Sequence, residues 1–412
     1  MNGVFLPFLL SVVLARAECS WWFISRLKLS AMGTAPSAAF CDLIPGLSRR
    51  QRTLCQMNLD VMKAVGHGVN LGVVECQNQF RNQRWNCTTV DRSGFGKVVL
   101  KLGSREAAFV YAITSAGVVH TVARACAQGQ IDSCTCDFSN RGVGRDAQAK
   151  MFSWGGCADN VRYASKFARR FLDAKERVSR DGRALMNLHN NRAGRKAVRR
   201  NERLQCKCHG VSGSCTTRTC WKTAGNFKTI GENLARKYKK AMQVTINPQG
   251  RSLIPVGATE VRRDLPVDVS TRHPKFDLQK AVQSKRQIQK AQLVFFDHSP
   301  DYCNVDPKTG SLGTAGRVCN KTGSDENSCD VLCCGRGYDT KRVVKEEKCQ
   351  CKFVWCCKVE CKSCRVEYDI HTCKGAVASL PSLAEDGSLS SNDGVLRSRY
   401  HHYRLRGSAQ SR

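Results

Sequence analysis

Cysteine content constrains this chain more than any other feature of its sequence. The 412 residues include 25 cysteines, and so many thiols rarely stay reduced and unpaired in a cytosolic protein. Twelve lie at positions 41–220, none at 221–302 and twelve at 303–373. Two even sets separated by a cysteine-free stretch predict two disulfide-bonded regions in an oxidising compartment. Cys19 is left over and has no evident partner.

Residues 1–17 have most features of a secretory signal peptide. An apolar run at 4–14 precedes Ala-Arg-Ala at 15–17, and this small-x-small pattern is typical of a cleavage site. The run is too short to cross a bilayer as a helix, and no later stretch is apolar over the 18 or more residues required. A buried N-terminal helix is the alternative. The sequence therefore predicts a secreted extracellular protein without an integral membrane anchor.

Composition divides the remaining chain into four parts. Residues 18–220 are predicted to be a helical N-terminal domain, because apolar side chains recur there at helical spacing. Residues 221–302 are polar and punctuated by proline, which predicts a linker with a long exposed loop. Residues 303–373 have few aliphatic side chains, so this domain must be held by disulfides. Residues 374–412 are expected to be a disordered basic tail.

A ladder of cysteines predicts a braced hairpin at the end of the helical part. The sequence runs from Cys206 and Cys208 to Cys215 and Cys220. Because residues i and i+2 of a strand face the same side, Cys208 can pair with Cys215 inside a pair of Cys206 with Cys220. Closing the inner loop stabilises the hairpin by roughly 2–3 kcal/mol.

The tip of this hairpin is small and hydrophilic. It contains Gly210, Ser212, Gly213 and Ser214, and Val211 is its only apolar residue. A rigid platform that presents one hydroxyl group fits a modification site or a contact residue. A disulfide-locked turn without further function fits the composition equally well.

The C-terminal cysteines predict a second hairpin of the same kind. Cys-Gln-Cys at 349–351 faces Cys-x-x-Cys at 361–364, with Phe-Val-Trp-Cys-Cys at 353–357 between them. Burial of these aromatics in so small a module is not expected, so they suggest a surface for contact with another protein. Cys356 and Cys357 could close a strained vicinal bridge or pair elsewhere.

Other functions fit parts of the sequence. The C-x-C pairs could bind zinc, but the usual tetrad of two C-x₂-C pairs is absent. Gly210-x-Ser212-x-Ser214 resembles the nucleophile elbow of a hydrolase, yet Ser214 replaces the last glycine and a disulfide-bridged hairpin is the wrong scaffold. The net charge of +32 would suit nucleic acid, but an extracellular location argues against that partner.

A basic stripe is predicted on a helix that passes through Leu185 and Leu188. Its five cations follow the spacing of one helix face, and they are Arg192, Arg195, Lys196, Arg199 and Arg203. Such a stripe would attract heparan sulfate. The alternative function is therefore an extracellular matrix protein that binds this glycan and activates no receptor. A solvated helix face fits equally well, and Gly194 weakens the helix prediction.

Two N-glycosylation sequons are also present. Asn86-Cys-Thr and Asn320-Lys-Thr both lie beside cysteines. Each would be used only on an exposed loop in the secretory pathway.

These features together resemble the Wnt family of secreted, lipid-modified growth factors, most closely its second subfamily. The resemblance covers essentially the whole mature chain. It is based on ECQNQFRNQRWNC at 75–87, WGGCADN at 154–160, NLHNNRAGR at 187–195, CKCHGVSGSC at 206–215, SPDYC at 299–303, GTAGRVC at 313–319, CCGRGY at 333–338 and CQCKFVWCC at 349–357.

The resemblance implies an α+β, disulfide-rich fold and a signalling ligand, not an enzyme. A helical N-terminal domain would carry a stapled, lipidated hairpin, the thumb, and a small cysteine-rich C-terminal domain would carry a β-hairpin, the finger. Ser212 would receive palmitoleate from the acyltransferase Porcupine, with no other cofactor, and the carrier Wntless would escort the protein during secretion. An LRP-type co-receptor would join Frizzled to start signalling. The contacts with the Frizzled cysteine-rich domain would be Gly210, Val211, Ser212, Phe353, Val354, Trp355, Cys356 and Cys357.

The family pattern also implies the disulfide pairing. The pairs are Cys76–Cys87, Cys126–Cys134, Cys136–Cys157, Cys206–Cys220, Cys208–Cys215, Cys303–Cys334, Cys319–Cys329, Cys333–Cys373, Cys349–Cys364 and Cys351–Cys361, and Cys41 and Cys55 remain to pair with each other. The long segment at 221–302, the extension after Cys373 and Cys19 depart from the family pattern.

Overall fold

The computed structural model describes residues 38–88, 99–179, 181–256 and 288–375. The predicted signal peptide, Cys19, much of the predicted long loop and nearly all of the basic tail lie outside the described residues. The predicted domain boundaries at 220 and 302 remain predictions.

Helices dominate the described residues before position 240, and one short helix lies in the C-terminal region. They are α1 (Ala38–Leu43), α2 (Arg49–Gln56), α3 (Leu59–Phe80), α4 (Arg105–Ala127), α5 (Val161–Leu172), α6 (Glu176–Ser179), α7 (Gly182–Arg200), α8 (Phe227–Lys239) and the short α9 (Cys329–Leu332). Ser48, Ser104 and Asp181 begin α2, α4 and α7, since each side chain accepts a hydrogen bond from the backbone N–H three residues later.

Helix α4 is the centre of the N-terminal core. Nearly every residue along it is buried, and α3, α5, α7 and α8 pack around it. Glycine lets two of these helices approach its backbone closely. A Cβ atom at Gly117 would collide with the carbonyl oxygen of Gly68 in α3, and one at Gly194 in α7 would collide with that of Ala112. Helix α7 runs unbroken through Gly194, although glycine lowers helix propensity. Glycine is needed there because the α4 backbone leaves no room for a Cβ atom.

Among the described helices, α4 is also long and apolar enough to cross a membrane. This differs from the expectation that no stretch after the signal peptide is sufficiently apolar. Of its most apolar 18-residue window, 94% is buried inside the fold. We therefore interpret α4 as the core helix of a globular unit.

Strands form small sheets around and after the helices. They are β1 (Val143–Arg145), β2 (Met151–Trp154), β3 (Arg203–Cys208), β4 (Arg218–Thr223), β5 (Met242–Ile246), β6 (Leu253–Pro255), β7 (Val294–Phe295), β8 (Val305–Asp306), β9 (Ser311–Leu312), β10 (Val318–Cys319), β11 (Tyr338–Val354) and β12 (Lys358–Cys373). The sheet orders are β1-β2-β4-β3, β6-β5-β7, β10-β12-β11 and β8-β9.

The segment predicted to be a linker contributes to the N-terminal core. Helix α8 buries Phe227, Ile230 and Leu234, and Leu293 joins them from the chain that follows residues 257–287. The regular spacing of these apolar residues along α8 explains why it packs on the core instead of crossing solvent.

The C-terminal region has a core made largely of sulfur. Its buried cluster consists of four cysteines and Leu332, with Tyr338 packed against it. The Arg317 guanidinium in this region donates to the carbonyl oxygens of Arg81, at 2.9 Å, and Arg84, at 2.8 Å, just after the end of α3. So few aliphatic side chains could not hold this region without disulfides. The predicted α+β, disulfide-rich fold is confirmed.

Candidate functional site

The thumb is the antiparallel pair of β3 and β4. Cys206 lies opposite Cys220 in the strand register, and these two residues are bonded with their Cα atoms 4.1 Å apart. Cys208 and Cys215 form a second bridge closer to the tip. The excess length of the returning chain is taken up between Cys215 and β4, since Cys208 pairs with Arg218 in the register.

Backbone hydrogen bonds shape the tip of the thumb. The N–H of Gly210 donates to the carbonyl oxygen of Ser214 at 2.8 Å, and the N–H of Gly213 donates to that of Gly210 at 2.9 Å. Ser212 has φ +53° and Gly213 has φ +79°, a region that residues with a side chain rarely adopt. A Cβ atom at position 210 would collide with Ser214 Oγ. The tip is therefore a defined turn that requires glycine at position 210.

Val211 and Ser212, at the end of the tip, point away from the described part of the protein. Val211 is 90% exposed, and Ser212 is exposed as well. The Ser212 hydroxyl has no hydrogen-bond partner among the described residues. The chain thus presents a free hydroxyl and one valine on a covalently braced support.

Strands β1 and β2 support the base of the thumb. β2 runs parallel to β4, with Ser153 opposite Thr219. Arg218 in β4 forms an ion pair with Asp146 at 2.6 Å and also donates to the carbonyl oxygen of Lys150 at 3.0 Å. The hydrogen bond from Arg218 lowers the pKa of Asp146, so its carboxylate stays charged. These contacts limit rotation of the thumb about its base.

The finger is the long ribbon of β11 and β12. Two bridges, Cys349–Cys364 and Cys351–Cys361, cross it near its tip. The register shifts between Cys349 and Lys352, where Gln350 has φ +46°, which is a β-bulge. Most of the ribbon is exposed on both faces, so its shape depends on backbone pairing and disulfides.

The finger tip carries the exposed aromatic residues that the sequence placed there. Trp355 is 91% exposed and Phe353 is 69% exposed, while Val354 is partly covered. The predicted disulfide bond of Cys356 or Cys357 is wrong for this structure, because both thiols are free and exposed. Both residues have φ near +73° and turn the chain themselves. A disulfide bond between these two adjacent cysteines would close a strained ring that includes the peptide bond joining them.

The eleven bridges among the described residues pair the same cysteines as the family pattern and include Cys41–Cys55. Three sulfur atoms of Cys319, Cys329 and Cys333 cluster closely enough to suggest a metal site. They are already bonded, Cys319 to Cys329 and Cys333 to Cys373. Metal binding to cysteine requires thiolates, so this cluster does not support a zinc site.

The predicted basic stripe is wrong at two of its five positions. The Arg195 guanidinium is buried and donates to both carboxylate oxygens of Asp173, each at 2.9 Å. Arg203 does not lie on the helix, since α7 ends at Arg200 and Arg203 begins β3. Helical spacing alone could not show that one cation of the stripe has a buried partner on another element.

A different basic cluster lies on the same side of α7. Partial burial and the neighbouring charges of Arg192 and Arg200 lower the pKa of Lys196. Burial and the charges of Arg200 and Lys196 lower the pKa of Lys237 in α8. We call this surface the basic face; its members are Arg192, Lys196, Arg199, Arg200, Lys237 and Lys290. The predicted stripe omitted Arg200, although it continues the spacing of Arg192 and Lys196 along α7. Lys237 and Lys290 could not be predicted, because they join the others only when α7, α8 and the chain before β7 pack.

Both sequons lie at turns on the surface. Asn320 is exposed, and its side-chain oxygen accepts hydrogen bonds from the N–H and the hydroxyl of Thr322, both at 3.1 Å. Asn86 is half-buried and makes the same pair of bonds with Thr88.

Known proteins are similar to this chain in sequence. A model of the Wnt family matches residues 43–374. Human protein Wnt-2b is 50% identical over 362 residues, which are 87% of this chain and 84% of that protein. Human WLS in complex with WNT8A matches at 33% identity, over 76% of this chain and 93% of the matched chain, with a TM-score of 0.48. The crystal structure of the Drosophila WntD N-terminal domain-linker matches at 24% identity, over 59% and 98%, with a TM-score of 0.36.

The fold is that of a disulfide-braced protein with two exposed hairpins. With the family match over most of its length, the chain belongs to the Wnt family. The family prediction is confirmed. The protein is a secreted Wnt signalling ligand, not an enzyme, and it acts outside the cell.

Proposed function

We propose that Ser212 carries a palmitoleoyl group, added by the acyltransferase Porcupine, and that this group enters the Frizzled cysteine-rich domain. The observation that carries the proposal is the Ser212 hydroxyl itself, which is exposed and unpartnered at the tip of a hairpin with two disulfides. The tip offers a receptor only one other apolar group, Val211. Without a lipid, so small a surface would bind weakly.

The acyl chain would dominate the affinity of the thumb. Burying a sixteen-carbon chain contributes up to about 10 kcal/mol, at about 0.8 kcal/mol per CH₂ group. Immobilising the chain and the loss of translational freedom reduce this value. The same apolar chain needs shelter before it reaches a receptor, so we assign the carrier role to Wntless.

The finger supplies the second receptor contact. Phe353, Val354 and Trp355 place apolar side chains in solvent beside Cys356 and Cys357, and exposed tryptophan is enriched among residues that dominate binding. An LRP-type co-receptor binds away from both tips and brings the receptors together.

Acylation is tested by the intact mass of the secreted protein before and after ester cleavage. The mass should fall by one palmitoleoyl group, and Ser212→Ala should lack the group, bind Frizzled poorly and signal weakly. Ser214→Ala is the matched control, because it removes a hydroxyl from the same turn and leaves its backbone bonds intact. Normal receptor binding by unacylated Ser212→Ala would contradict the proposal.

A second candidate function is binding to heparan sulfate in the extracellular matrix. The observation that favours it is the basic face, where partial burial and then the charges of neighbouring cations lower the pKa of Lys196, since a polyanion would relieve the repulsion among these cations. Arg192→Ala with Lys196→Ala should elute from heparin at lower salt than the unmodified sequence. If the double substitution does not change the salt concentration at which the protein elutes from heparin, the basic face is a solvated surface that does not bind heparan sulfate.

We also propose N-glycosylation at Asn86 and Asn320, whose side chains lie in surface turns. Enzymatic removal of N-glycans should lower the mass of the secreted protein, with Asn86→Gln and Asn320→Gln each accounting for one glycan. A mass unaffected by the enzyme would contradict the assignment.

A further inference from the structure

A cavity of about 1430 Å³ opens between α3, the C-terminal part of α4 and the base of the thumb. We call it the α3–α4 cleft. Its wall on α3 is one helix face, which includes Lys63, His67 and Leu71. Small-molecule pockets usually measure about 300–1,000 Å³. The larger volume favours an extended ligand, such as a segment of another protein.

The cleft has an excess of unpaired positive charge. Lys63, Arg124 and Arg203 line it, and none of them forms an ion pair with a described residue. Its two acids already have hydrogen-bond donors: Asp60 accepts from a backbone N–H at 2.9 Å and Asp159 from another at 2.8 Å. Because three cations line the cleft with only two acids, the charge of the lining favours an anionic ligand.

The lining also contains apolar side chains beside polar ones such as Thr121 and Gln205, and these apolar side chains separate this surface from the basic face. Leu71, Leu204, Trp221 and Phe227 all contribute to the apolar part of the lining. Burial also lowers the pKa of His120 in the cleft wall, so its imidazole adds no further charge at neutral pH. A sulfated glycan would gain little from leucine and aromatic side chains, whereas an acidic peptide with aliphatic residues would match both parts of the lining.

We propose that the α3–α4 cleft binds an acidic, aliphatic-containing peptide segment of a partner protein in extended conformation. The binding site is separate from the tips of thumb and finger, so it does not depend on acylation of Ser212.

The probe is a fluorescein-labelled peptide of five Glu-Leu repeats, followed by fluorescence anisotropy with the full secreted protein. It should bind, and a peptide of five Lys-Leu repeats should not. Lys63→Glu with Arg124→Glu should weaken binding at least about tenfold by reversing the charge of the cleft. His67→Trp should weaken binding to a similar extent by filling the cleft from an exposed position, which leaves the core intact.

Arg192→Glu with Lys196→Glu is the matched control, since it reverses the same charge on the basic face. It should leave peptide binding unchanged and lower heparin retention, and Ser212→Ala should bind the peptide normally. Three results would overturn the proposal: no binding of the Glu-Leu peptide, equal loss with both charge-reversed pairs, or loss of heparin retention in the cleft pair, which would identify a glycan site.

Discussion

Substitution of Arg195 by alanine should destabilise the protein far more than the loss of a surface cation. The Arg195 guanidinium donates to both oxygens of Asp173 at 2.9 Å, and both side chains are more than nine-tenths buried. Without the Arg195 guanidinium, the Asp173 carboxylate still accepts a hydrogen bond from the side-chain amide of Asn191, at 3.1 Å. Removing one partner of a buried ion pair costs roughly 3–5 kcal/mol, because the other charge stays buried and unpaired. We expect a loss of that size in the free energy of unfolding.

The measurement is unfolding in guanidinium chloride with the disulfides intact, where lost stability appears as a lower midpoint at unchanged slope. Arg192→Ala on the exposed side of α7 is the matched control and should change the free energy of unfolding by no more than about 0.5 kcal/mol. Arg195→Met with Asp173→Leu should recover most of the loss, since neither charge remains. Equal midpoints for Arg195→Ala and Arg192→Ala would refute the reasoning.

Three further predictions concern packing, pH and the finger. Gly194→Ala should cost at least about 1–3 kcal/mol in unfolding experiments, because its methyl group would strike the Ala112 backbone. Burial lowers the pKa of His189; the unfolded chain therefore takes up the proton first, and stability should fall as the pH drops below about 6.5. His189→Gln, which can still donate to the carbonyl oxygen of Gln292, should show a smaller difference in unfolding midpoint between about pH 7.5 and 5.5. Trp355→Ala should weaken binding to immobilised Frizzled domain by about 2 kcal/mol or more and leave thermal unfolding unchanged, since the side chain is exposed.

The thumb could be read from the sequence because its information is local. A period of two along a strand places Cys206 and Cys208 on one side, and the structure pairs Cys206 with Cys220 in the register. The exposed finger aromatics could be anticipated for a similar reason, since too few aliphatic residues surround them to build a core. In both cases, residues close by in the sequence determine the property that was predicted: the facing of the thumb cysteines and the exposure of the finger aromatics.

The basic stripe could not be read in this way, because burial depends on packing between elements. Arg195 has the spacing of a surface cation, but its partner Asp173 lies at the end of α5, a separate helix that packs against α7. Gly194 likewise looks like a weak point within α7 until the nearby backbone of α4 explains it. The end of α7 at Arg200 moves Arg203 into a strand. The spacing of residues along α7 alone therefore could not predict the burial of Arg195, the close contact at Gly194 or the position of Arg203 in a strand.

Rigidity would let the two exposed hairpins act as the receptor contacts proposed above without a hydrophobic core. A flexible hairpin would lose about 0.5–1.5 kcal/mol per immobilised side chain on binding, and neither thumb nor finger has a packed interior to reduce that loss. Each instead carries two disulfides near its tip, and Arg218 fixes the thumb to the neighbouring strands. The conformational cost is therefore largely met during folding. Energy gained at the tips can then appear as affinity.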